Sequence, residues 1–506
     1  MNPEAHPHHA RRWSILLVIG IAQLMVVLDA TIVTIALPSA QRALHFSNDN
    51  RQWVVTAYAL AFGSLLLLGG RVSDFFGRKW TFIAGLAGFA VASAVGGASQ
   101  SFGMLVAARA VQGAFGALLA PGALSLLTTT FTEAGERAKA FGIYGAIAGS
   151  GASIGLLLGG LLTSELSWRY TMFVNLVFAA IAITGAVALL HHERPATRPR
   201  FDVPGVLTVS GGLFSIVYGF NHAQTSGWGN PVTVAFLAAA VALLGAFVAT
   251  ERRSAHPLLP LRVVTDRNRG ASFIAVAITS AAMFGVFLFL TYWLQQNLRL
   301  SPIMSGVAFL PLTAMVMVVA VVAQTRLVPR FGPRPLVAGG MALAMVGMLL
   351  LTRLAVDSSY ATDVLPTLLL MGIGMGLIFA PAMSTATYGV LPSDAGVASA
   401  TVNAMQQVGG SVGTAVLSTI ATGSLGRIPT PISVVHGYTL AFGASAGLFA
   451  LGAVIAIALF ARGARAALPE AEAQAAAVPT RPRDLELVAQ AVDSTAGVRG
   501  GRVARG

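Results

Sequence analysis

The chain has 506 residues, of which 55% are hydrophobic and only 10% are charged, and it contains no cysteine. A soluble domain carries roughly 25% charged residues, so this composition excludes a protein whose whole surface faces water. The absence of cysteine excludes disulfides and thiolate metal sites. The sequence pI of about 11.0 does not indicate nucleic-acid binding, because the basic residues are spread over short connections between apolar segments.

Fourteen apolar segments follow a polar leader of residues 1–13. A helix that spans a bilayer needs about 20 apolar residues, so the pattern predicts an all-α membrane protein of about fourteen transmembrane helices. The predicted spans are, in chain order, Ser14–Leu37, Trp53–Gly70, Trp80–Ser99, Gly103–Thr130, Ala140–Leu162, Tyr170–Leu190, Val203–Phe220, Pro231–Thr250, Gly270–Leu294, Pro302–Thr325, Pro335–Thr352, Val364–Val390, Ala395–Thr422 and Gly437–Ala461.

The charges of the connecting loops predict the orientation of these spans. With a cytoplasmic N-terminus, the inside segments hold 25 lysines and arginines and the outside loops hold six. The positive-inside rule therefore predicts a multi-pass protein of the bacterial inner membrane with both termini in the cytoplasm. All six tryptophans fall at or near predicted span ends, as expected for residues at the membrane interface: Trp13, Trp53, Trp80, Trp168, Trp228 and Trp293.

The spans group into a cytoplasmic leader (1–13), an N-terminal six-helix bundle (14–190), two additional helices (203–250), a C-terminal six-helix bundle (270–461) and a tail (462–506). The tail is rich in Ala, Arg and Pro, so we expect disorder there. Phe76-Gly77-Arg78 follows the second span of the first bundle, and Phe331-Gly332-Pro333-Arg334 follows the second span of the other. This echo indicates internal duplication, which in transporters is typical of a site between the two halves.

Only two of the charged residues lie inside predicted spans, Asp29 in the first and Arg109 in the fourth. A charge in hydrocarbon costs roughly 2.5–3.5 kcal/mol on insertion scales, so such residues normally face the bundle interior or a water-filled cavity. At 1.5 Å per residue they lie roughly 12 and 9 Å from the predicted outer face, which allows direct or water-bridged contact. Asp29 is a candidate proton carrier or cargo ligand; the alternative is a structural pair that holds two helices together.

Glycines predict close helix packing around the fifth span. They recur four residues apart there, which lets neighbouring backbones approach, and we expect packing roles for Gly145, Gly149, Gly155, Gly159 and Gly160. On the fourth span, Gly113 follows Arg109 on a similar face. A sliding seam for alternating access is a further interpretation of the same pattern.

The sequence contains no motif for ATP hydrolysis and no catalytic motif in its usual structural context. A phosphate-binding loop of the form GxxxxGK needs a lysine in a glycine context, and neither Lys79 nor Lys139 has one. No HExxH motif occurs, and the GxSxG patterns at 151–155, 409–413 and 443–447 lie inside predicted transmembrane spans rather than at a strand-to-helix turn. We therefore expect no enzyme activity, no metal site and no cofactor, and uphill transport would need an ion gradient.

Several of these segments resemble the major facilitator superfamily, in particular its fourteen-span drug:proton antiporters of the EmrB/QacA type. The segments are the loop 70–79, which reads GRVSDFFGRK, the segment 28–38 around Asp29, the trio Arg109, Gln112 and Gly113, and Phe173-Val174-Asn175. The resemblance implies proton coupling at Asp29 and Arg109. It also implies a gating latch formed by Gly70, Asp74, Gly77 and Arg78, with Gln112 beside Gly113 in the packing of the fourth span.

The function that the resemblance implies is proton-driven export of a hydrophobic or amphipathic drug or antibiotic by a monomer, with protons, cargo and lipid as partners. Gly155 is followed by Leu156 where the family's antiporter motif has Gly-Pro, which leaves a proton-coupled uptake symporter as an alternative. A membrane enzyme or sensor is an alternative of another class. Polar residues in or near the spans give the candidate cargo contacts Tyr292, Gln295, Asn403, Gln406 and Gln407.

Overall fold

The computed structural model describes residues 11–46, 53–190, 202–254, 257–423 and 430–461, without the side chains at 149, 150, 152, 153, 156, 302 and 392. Every regular element within those ranges is a helix, so the predicted all-α class is confirmed. The predicted leader up to residue 10 and the predicted disordered tail lie outside the described residues.

Fourteen long helices follow one another in the described residues, one on each predicted span. Twelve are both long and apolar enough to cross a membrane, while α5 and α13 are not among the twelve, so the count of fourteen spans stays a prediction. The helices are α1 (Arg12–Leu44), α2 (Trp53–Phe76), α3 (Arg78–Gly97), α4 (Phe102–Thr130), α5 (Ala134–Glu165), α6 (Tyr170–Leu189), α7 (Val203–Ser226), α8 (Pro231–Arg253), α9 (Arg267–Gln296), α10 (Ile303–Phe331), α11 (Pro333–Leu351), α12 (Tyr360–Ala386), α13 (Ala395–Gly423) and α14 (Pro431–Leu459).

Several helices extend well past their predicted ends, α1 and α7 among them. α1 continues through Pro38 to Leu44, because a proline removes one backbone hydrogen bond but does not end a helix whose neighbours pack around it. α7 continues to Ser226 and ends at Gly227, whose φ of +87° lies in the left-handed region. The extension of α7 brings polar residues beyond position 220 into a helix.

The two six-helix halves have the same internal packing. In the first half the closest packed pairs join its first helix to its fifth and sixth, its second to its fourth, and its third to its fourth and sixth. The same five pairs pack closely in the second half, between α9 and α13, α9 and α14, α10 and α12, α11 and α12, and α11 and α14. This repetition supports the internal duplication that the sequence echo indicated.

A glycine stands at the equivalent turn of each half. Gly77 joins α2 to α3 with φ +91°, and Gly332 joins α10 to α11 with φ +76°. A side chain is disfavoured in this left-handed region, so glycine is the residue that the tight turn selects. The repeated Phe-Gly dipeptide of the sequence therefore marks a similar left-handed turn at the equivalent position of each half.

The halves meet along two seams, α2 with α13 and α5 with α10. Each seam pairs the second helix of one half with the fifth helix of the other. Of the two helices between the halves, α7 packs against both α2 and α13, and α8 packs on α7. The additional helices therefore sit at the α2/α13 seam.

Glycines bring α5 close to three neighbouring helices, α1, α10 and α12. A Cβ added to Gly159 would lie 2.8 Å from Cγ1 of Ile32 in α1, and one added to Gly145 would lie 2.8 Å from Cβ of Ala380 in α12. Gly155 also faces α1, at Thr31, and Gly160 faces Ile303 at the start of α10. Gly149, the remaining predicted packing residue of this helix, lies outside the positions whose surroundings are described.

Candidate functional site

Asp29 of α1 and Arg109 of α4 form a buried ion pair. Nη1 of Arg109 donates a hydrogen bond of 2.6 Å to Oδ2 of Asp29, and the two side chains are 1% and 0% exposed. A buried charge without its partner is strongly destabilising, so each residue requires the other. The sequence allowed either a direct or a water-bridged contact between Asp29 and Arg109, and in the structure the contact is direct.

Two amides complete the surroundings of the Asp29 carboxylate. Its Oδ1 accepts 2.8 Å hydrogen bonds from Nε2 of Gln112 and Nδ2 of Asn175, and Asn175 also donates to Oγ of Ser93 at 3.0 Å. These donors and Arg109 suit a carboxylate, which only accepts. In the sequence, Asn175 was identified only as part of the Phe173-Val174-Asn175 motif. Its amide within the apolar span 170–190 was a signal that could have predicted its position at this site.

Arg109 is held from three further directions. Its Nε donates to the carbonyl of Val54 at 3.2 Å, its Nη1 also donates to Oε1 of Gln112 at 2.7 Å, and its guanidinium lies 4.4 Å from the centre of the Tyr58 ring. A cation over an aromatic face is attracted to it, more strongly when water is excluded. The Tyr58 hydroxyl is buried and has no hydrogen-bond partner among the described residues.

A cavity of about 440 Å³ lies between the two halves, beside this pair. Arg109 and Tyr58 line it, whereas Asp29 does not, so Arg109 separates the carboxylate from the cavity. Among the described lining residues Arg109 alone carries a formal charge. The remaining lining residues are Ala30, Val55, Ala59, Ala148, Val217, Asn221, Gln224, Ser280, Met283, Phe284, Phe287, Leu312, Val316, Met375, Phe379, Gln406, Gln407, Gly410, Ser411 and Thr414.

The lining divides by helix into apolar and hydrogen-bonding parts. α9, α10 and α12 contribute chiefly aromatic and aliphatic side chains. Within α9, the lining residue Phe287 belongs to a π turn at Val286–Leu290. Such π turns are frequent at functional sites. α7 and α13 contribute amides and hydroxyls. The cavity can therefore hold an amphipathic molecule.

The structure brings only part of the predicted cargo set to this cavity. Gln406 and Gln407 line it. Asn403 is buried and donates to the carbonyl of Ser399 at 2.9 Å within α13, and Tyr292 and Gln295 are not among the lining residues. The prediction missed Asn221 and Gln224, because it ended the seventh span at residue 220.

The predicted latch residues join the two halves at one end of the bundle, here called the latch end. Oδ1 of Asp74 accepts a 3.1 Å hydrogen bond from the N–H of Gly396 in α13, and Nη2 of Arg78 lies 4.0 Å from the same oxygen. Nε of Arg78 also donates to Oγ of Ser125 at 3.0 Å. A Cβ on Gly70 would lie 2.6 Å from the carbonyl oxygen of Gly396, so this glycine permits the contact between α2 and α13.

A second tie between the halves lies at the latch end. Nη2 of Arg137 in α5 donates to Oγ1 of Thr387, at the end of α12, at 3.2 Å, and its guanidinium lies 5.5 Å from the ring centre of Tyr388. The sequence did not predict this contact, because Arg137 was interpreted only as one of the basic residues in the inside connections.

The cavity lies farther along the same helices. Gln406 is ten residues beyond Gly396 in α13, about 15 Å at 1.5 Å per residue, and Tyr58 is sixteen residues before Asp74 in α2. The halves are therefore in contact at the latch end and enclose the cavity beyond it.

Comparisons with known proteins agree with this architecture. The Major Facilitator Superfamily profile matches residues 19–414. The chain is 49% identical over 484 residues to the puromycin resistance protein pur8 of Streptomyces alboniger, covering 94% of this chain and 96% of the relative. It is 38% identical to the cephamycin export protein CmcT of Amycolatopsis lactamdurans, covering 83% of this chain and 87% of that protein. The human organic anion transporter MFSD10 has the same fold, with a TM-score of 0.62 at 16% identity over 88% of this chain and 99% of that one.

Proposed function

Because the chain belongs to the Major Facilitator Superfamily, we propose that it is a proton-driven exporter of amphipathic small molecules of the antibiotic type. The observation that carries the proposal is the buried Asp29–Arg109 pair beside a cavity lined by both aromatic and amide side chains. Two relatives support the class of cargo, since one is named for puromycin resistance and the other for cephamycin export.

The proposed location is a bacterial cell membrane with both termini in the cytoplasm. The excess of lysine and arginine in alternate connections supports this orientation. In the proposed orientation, the latch end lies at the cytoplasmic face and the cavity lies nearer the outer face. The described conformation is then the one that releases cargo outward and accepts protons.

The proposed proton step uses the position of Arg109 between the cavity and Asp29. A proton that enters from the outside through the cavity reaches the carboxylate when Arg109 turns away from it. Protonation removes the charge of Asp29 and with it the ionic part of its 2.6 Å contact with Arg109. This weakens the tie between α1 and α4, and the halves can rearrange around the cavity.

The proton supplies the free energy for export. One charge that crosses the membrane is worth about 2.3 kcal/mol per 100 mV, so one inward proton supports up to about fiftyfold accumulation of an uncharged cargo outside. The proposal includes no enzymatic step and no cofactor. A monomer suffices, because one chain builds both halves, the pair and the cavity.

Everted membrane vesicles from a bacterial host that lacks its main drug pumps test the proposal. In these vesicles export appears as accumulation, and we expect puromycin to accumulate when respiration acidifies the interior and to leave when an uncoupler is added. Vesicles without the chain provide the control. Gradient-driven accumulation in right-side-out vesicles would instead identify uptake symport and overturn the proposed direction.

A further inference from the structure

The additional helix α7 makes the two seams between the halves unequal. It packs against α2 and α13 at one seam, while neither α7 nor α8 is among the close neighbours of α5 and α10 at the other. Since the halves themselves repeat the same packing, α7 is a local departure from their symmetry. It also forms part of the cavity wall.

One face of α7 reaches the cavity. Val217, Asn221 and Gln224 are spaced four and three residues apart, which places them on one side of a helix, and all three line the cavity. Val217 is buried, and the two amides are half-buried. Their position on a packed helix makes them part of a preformed wall.

Contacts on both sides fix α7 in this position. A Cβ on Gly63 of α2 would lie 2.8 Å from Cγ of Gln407 and 3.5 Å from Cγ2 of Val217, so three helices meet at this glycine. Just beyond the end of α7, Nε1 of Trp228 donates to Oγ1 of Thr419 in α13 at 2.8 Å. The amides of α7 and α13 are therefore held beside the same space.

These amides differ from the other polar groups of the bundle. Asn175, Gln324 and Asn403 use their amides in hydrogen bonds to other protein groups, as is usual for polar side chains between transmembrane helices. Within the described residues, the structure gives no such bond to the side-chain amides of the cavity-lining Asn221, Gln224, Gln406 and Gln407. Their donors and acceptors are left for the contents of the cavity.

We propose that Asn221 and Gln224 of α7, with Gln406 and Gln407 of α13, form an amide subsite that selects the cargo. The inference rests on the proposed export function and names its substrate class, an amphipathic molecule with several amide, hydroxyl or heteroaromatic hydrogen-bonding groups along one edge. The apolar body lies against the aromatic side chains of α9 and α12. Permanently charged lipophilic cations are disfavoured, because Arg109 is the charged residue of the described lining.

Equilibrium binding of puromycin to the purified full chain in lipid nanodiscs tests the subsite without requiring transport. The double variant Asn221→Leu/Gln224→Met keeps side-chain volume and removes both amides, and we expect it to weaken puromycin binding at least tenfold, as for the loss of two hydrogen bonds. Thr225→Val, a change on α7 outside the lining, should leave binding unchanged. Wild-type affinity in the double variant would overturn the proposal.

A variant that binds a ligand more tightly provides a second test, because a misfolded protein would lose binding rather than gain it. Gln224→Glu places a carboxylate in the cavity, and we expect it to raise the affinity for tetraphenylphosphonium at least fivefold. Thr225→Glu adds the same charge to the same helix outside the lining and should give no increase. An equal increase in both variants would show that Gln224 does not face the bound ligand.

The two proposals fail in different measurements. Binding of puromycin that depends on α7, without any gradient-driven movement in vesicles, would remove the export function and keep the subsite. Transport that is unchanged in Asn221→Leu/Gln224→Met would keep export and remove the subsite. If the wild-type chain binds neither puromycin nor cephamycin, both proposals are wrong.

Discussion

Asp74 in α2 caps a helix of the opposite half, since its Oδ1 accepts a 3.1 Å hydrogen bond from the N–H of Gly396, the second residue of α13. The first N–H groups of a helix have no partner inside that helix, and the positive end of its dipole attracts a carboxylate. The contact therefore stabilises the conformation in which the halves touch at the latch end. It lasts only while α2 and α13 stay together.

Asp74→Ala should slow transport without changing which cargo is carried. A hydrogen bond to a charged group is worth about 1.5–3 kcal/mol, and its loss destabilises the conformation closed at the latch end relative to the others. We expect turnover in everted vesicles to fall about tenfold while the KM for puromycin stays within twofold.

Asp357→Ala, which removes an exposed carboxylate far along the chain from the latch, is the matched control. Altered relative rates for puromycin and cephamycin in Asp74→Ala, with normal turnover, would show that Asp74 acts on cargo selection.

The Arg137–Thr387 contact, between α5 and the end of α12, should act on the same equilibrium. Thr387→Val keeps the side-chain shape but removes the oxygen that Arg137 reaches at 3.2 Å. We expect a two- to fivefold loss of turnover, because a hydrogen bond to a charged donor is lost while the guanidinium keeps its contact with Tyr388.

A double-mutant cycle in everted vesicles measures this contact. Thr387→Val in an Arg137→Gln background should have little further effect, since the charged donor is already absent. Fully additive losses would show that the two residues are not coupled.

The sequence predicted the helices and the buried pair because both follow from the cost of placing polar groups in lipid. Long apolar runs must be helical to satisfy their backbone, and two charges within such runs must face the interior. Asp29 and Arg109 could therefore be paired by depth alone. The latch at Asp74 came from a family motif, and its partner Gly396 could not be read from the sequence.

The cargo cavity was predicted less well. A polar residue within a helix can either bond to other protein groups or face the cavity, and the sequence alone does not distinguish these two cases. Asn403 and Gln406 lie three residues apart in α13, yet one bonds its own helix and the other faces the cavity. The end of α7 was placed too early, since its last turns are polar. Only the packing of α7 against α2 and α13 shows that Asn221 belongs to the site.

Asp29→Asn should abolish proton-driven export while leaving the protein inserted in the membrane. The amide cannot carry the proton, and Arg109 keeps its bonds to Val54 and Gln112 as partial compensation for the lost charge. We expect a lower unfolding temperature and no accumulation of puromycin in energised everted vesicles.

Exchange of labelled for unlabelled puromycin at equal concentrations, which needs no gradient, controls for a damaged cavity. This exchange should continue in Asp29→Asn. Wild-type accumulation under a pH gradient would mean that another group carries the proton.

Tyr58→Phe separates the ring of this residue from its hydroxyl. The ring lies 4.4 Å from the Arg109 guanidinium, whereas the buried hydroxyl has no partner among the described residues. We expect Tyr58→Phe to keep the wild-type unfolding temperature, because the ring remains. Tyr58→Leu should lower stability by about 1–2 kcal/mol, as expected for a desolvated cation–π contact.

Measurements of proton-coupled transport then test the role of the Tyr58 hydroxyl. If it relays protons between the cavity and the buried pair, Tyr58→Phe lowers gradient-driven puromycin accumulation at unchanged equilibrium exchange. Equal rates for Tyr58→Phe and the wild-type chain in both assays would limit Tyr58 to holding Arg109.

The α5/α12 contact gives a prediction that can be reversed by a second substitution. A Cβ on Gly145 would lie 2.8 Å from Cβ of Ala380, closer than side chains pack, and overpacking costs about 1–3 kcal/mol. Gly145→Ala should therefore disfavour the described conformation. Gly145→Ala/Ala380→Gly should restore it in part, because the closest clash is removed while the added Cβ still lies 3.1 Å from Cα of residue 380. Gly135→Ala, with no atom within 4 Å of the added Cβ, is the control.

The natural absence of cysteine makes the change in conformation measurable. In a Ser411→Cys background, a membrane-impermeant maleimide applied from outside reports access to the cavity. Gly145→Ala should slow labelling severalfold, and the added Ala380→Gly substitution should return it toward the wild-type rate, since α5 and α12 can again approach each other. Labelling in the double variant as slow as in Gly145→Ala would show that Gly145 acts through a contact other than the Ala380 methyl group. Equal labelling of Gly145→Ala and Gly135→Ala would mean that the α5/α12 contact does not set the conformation.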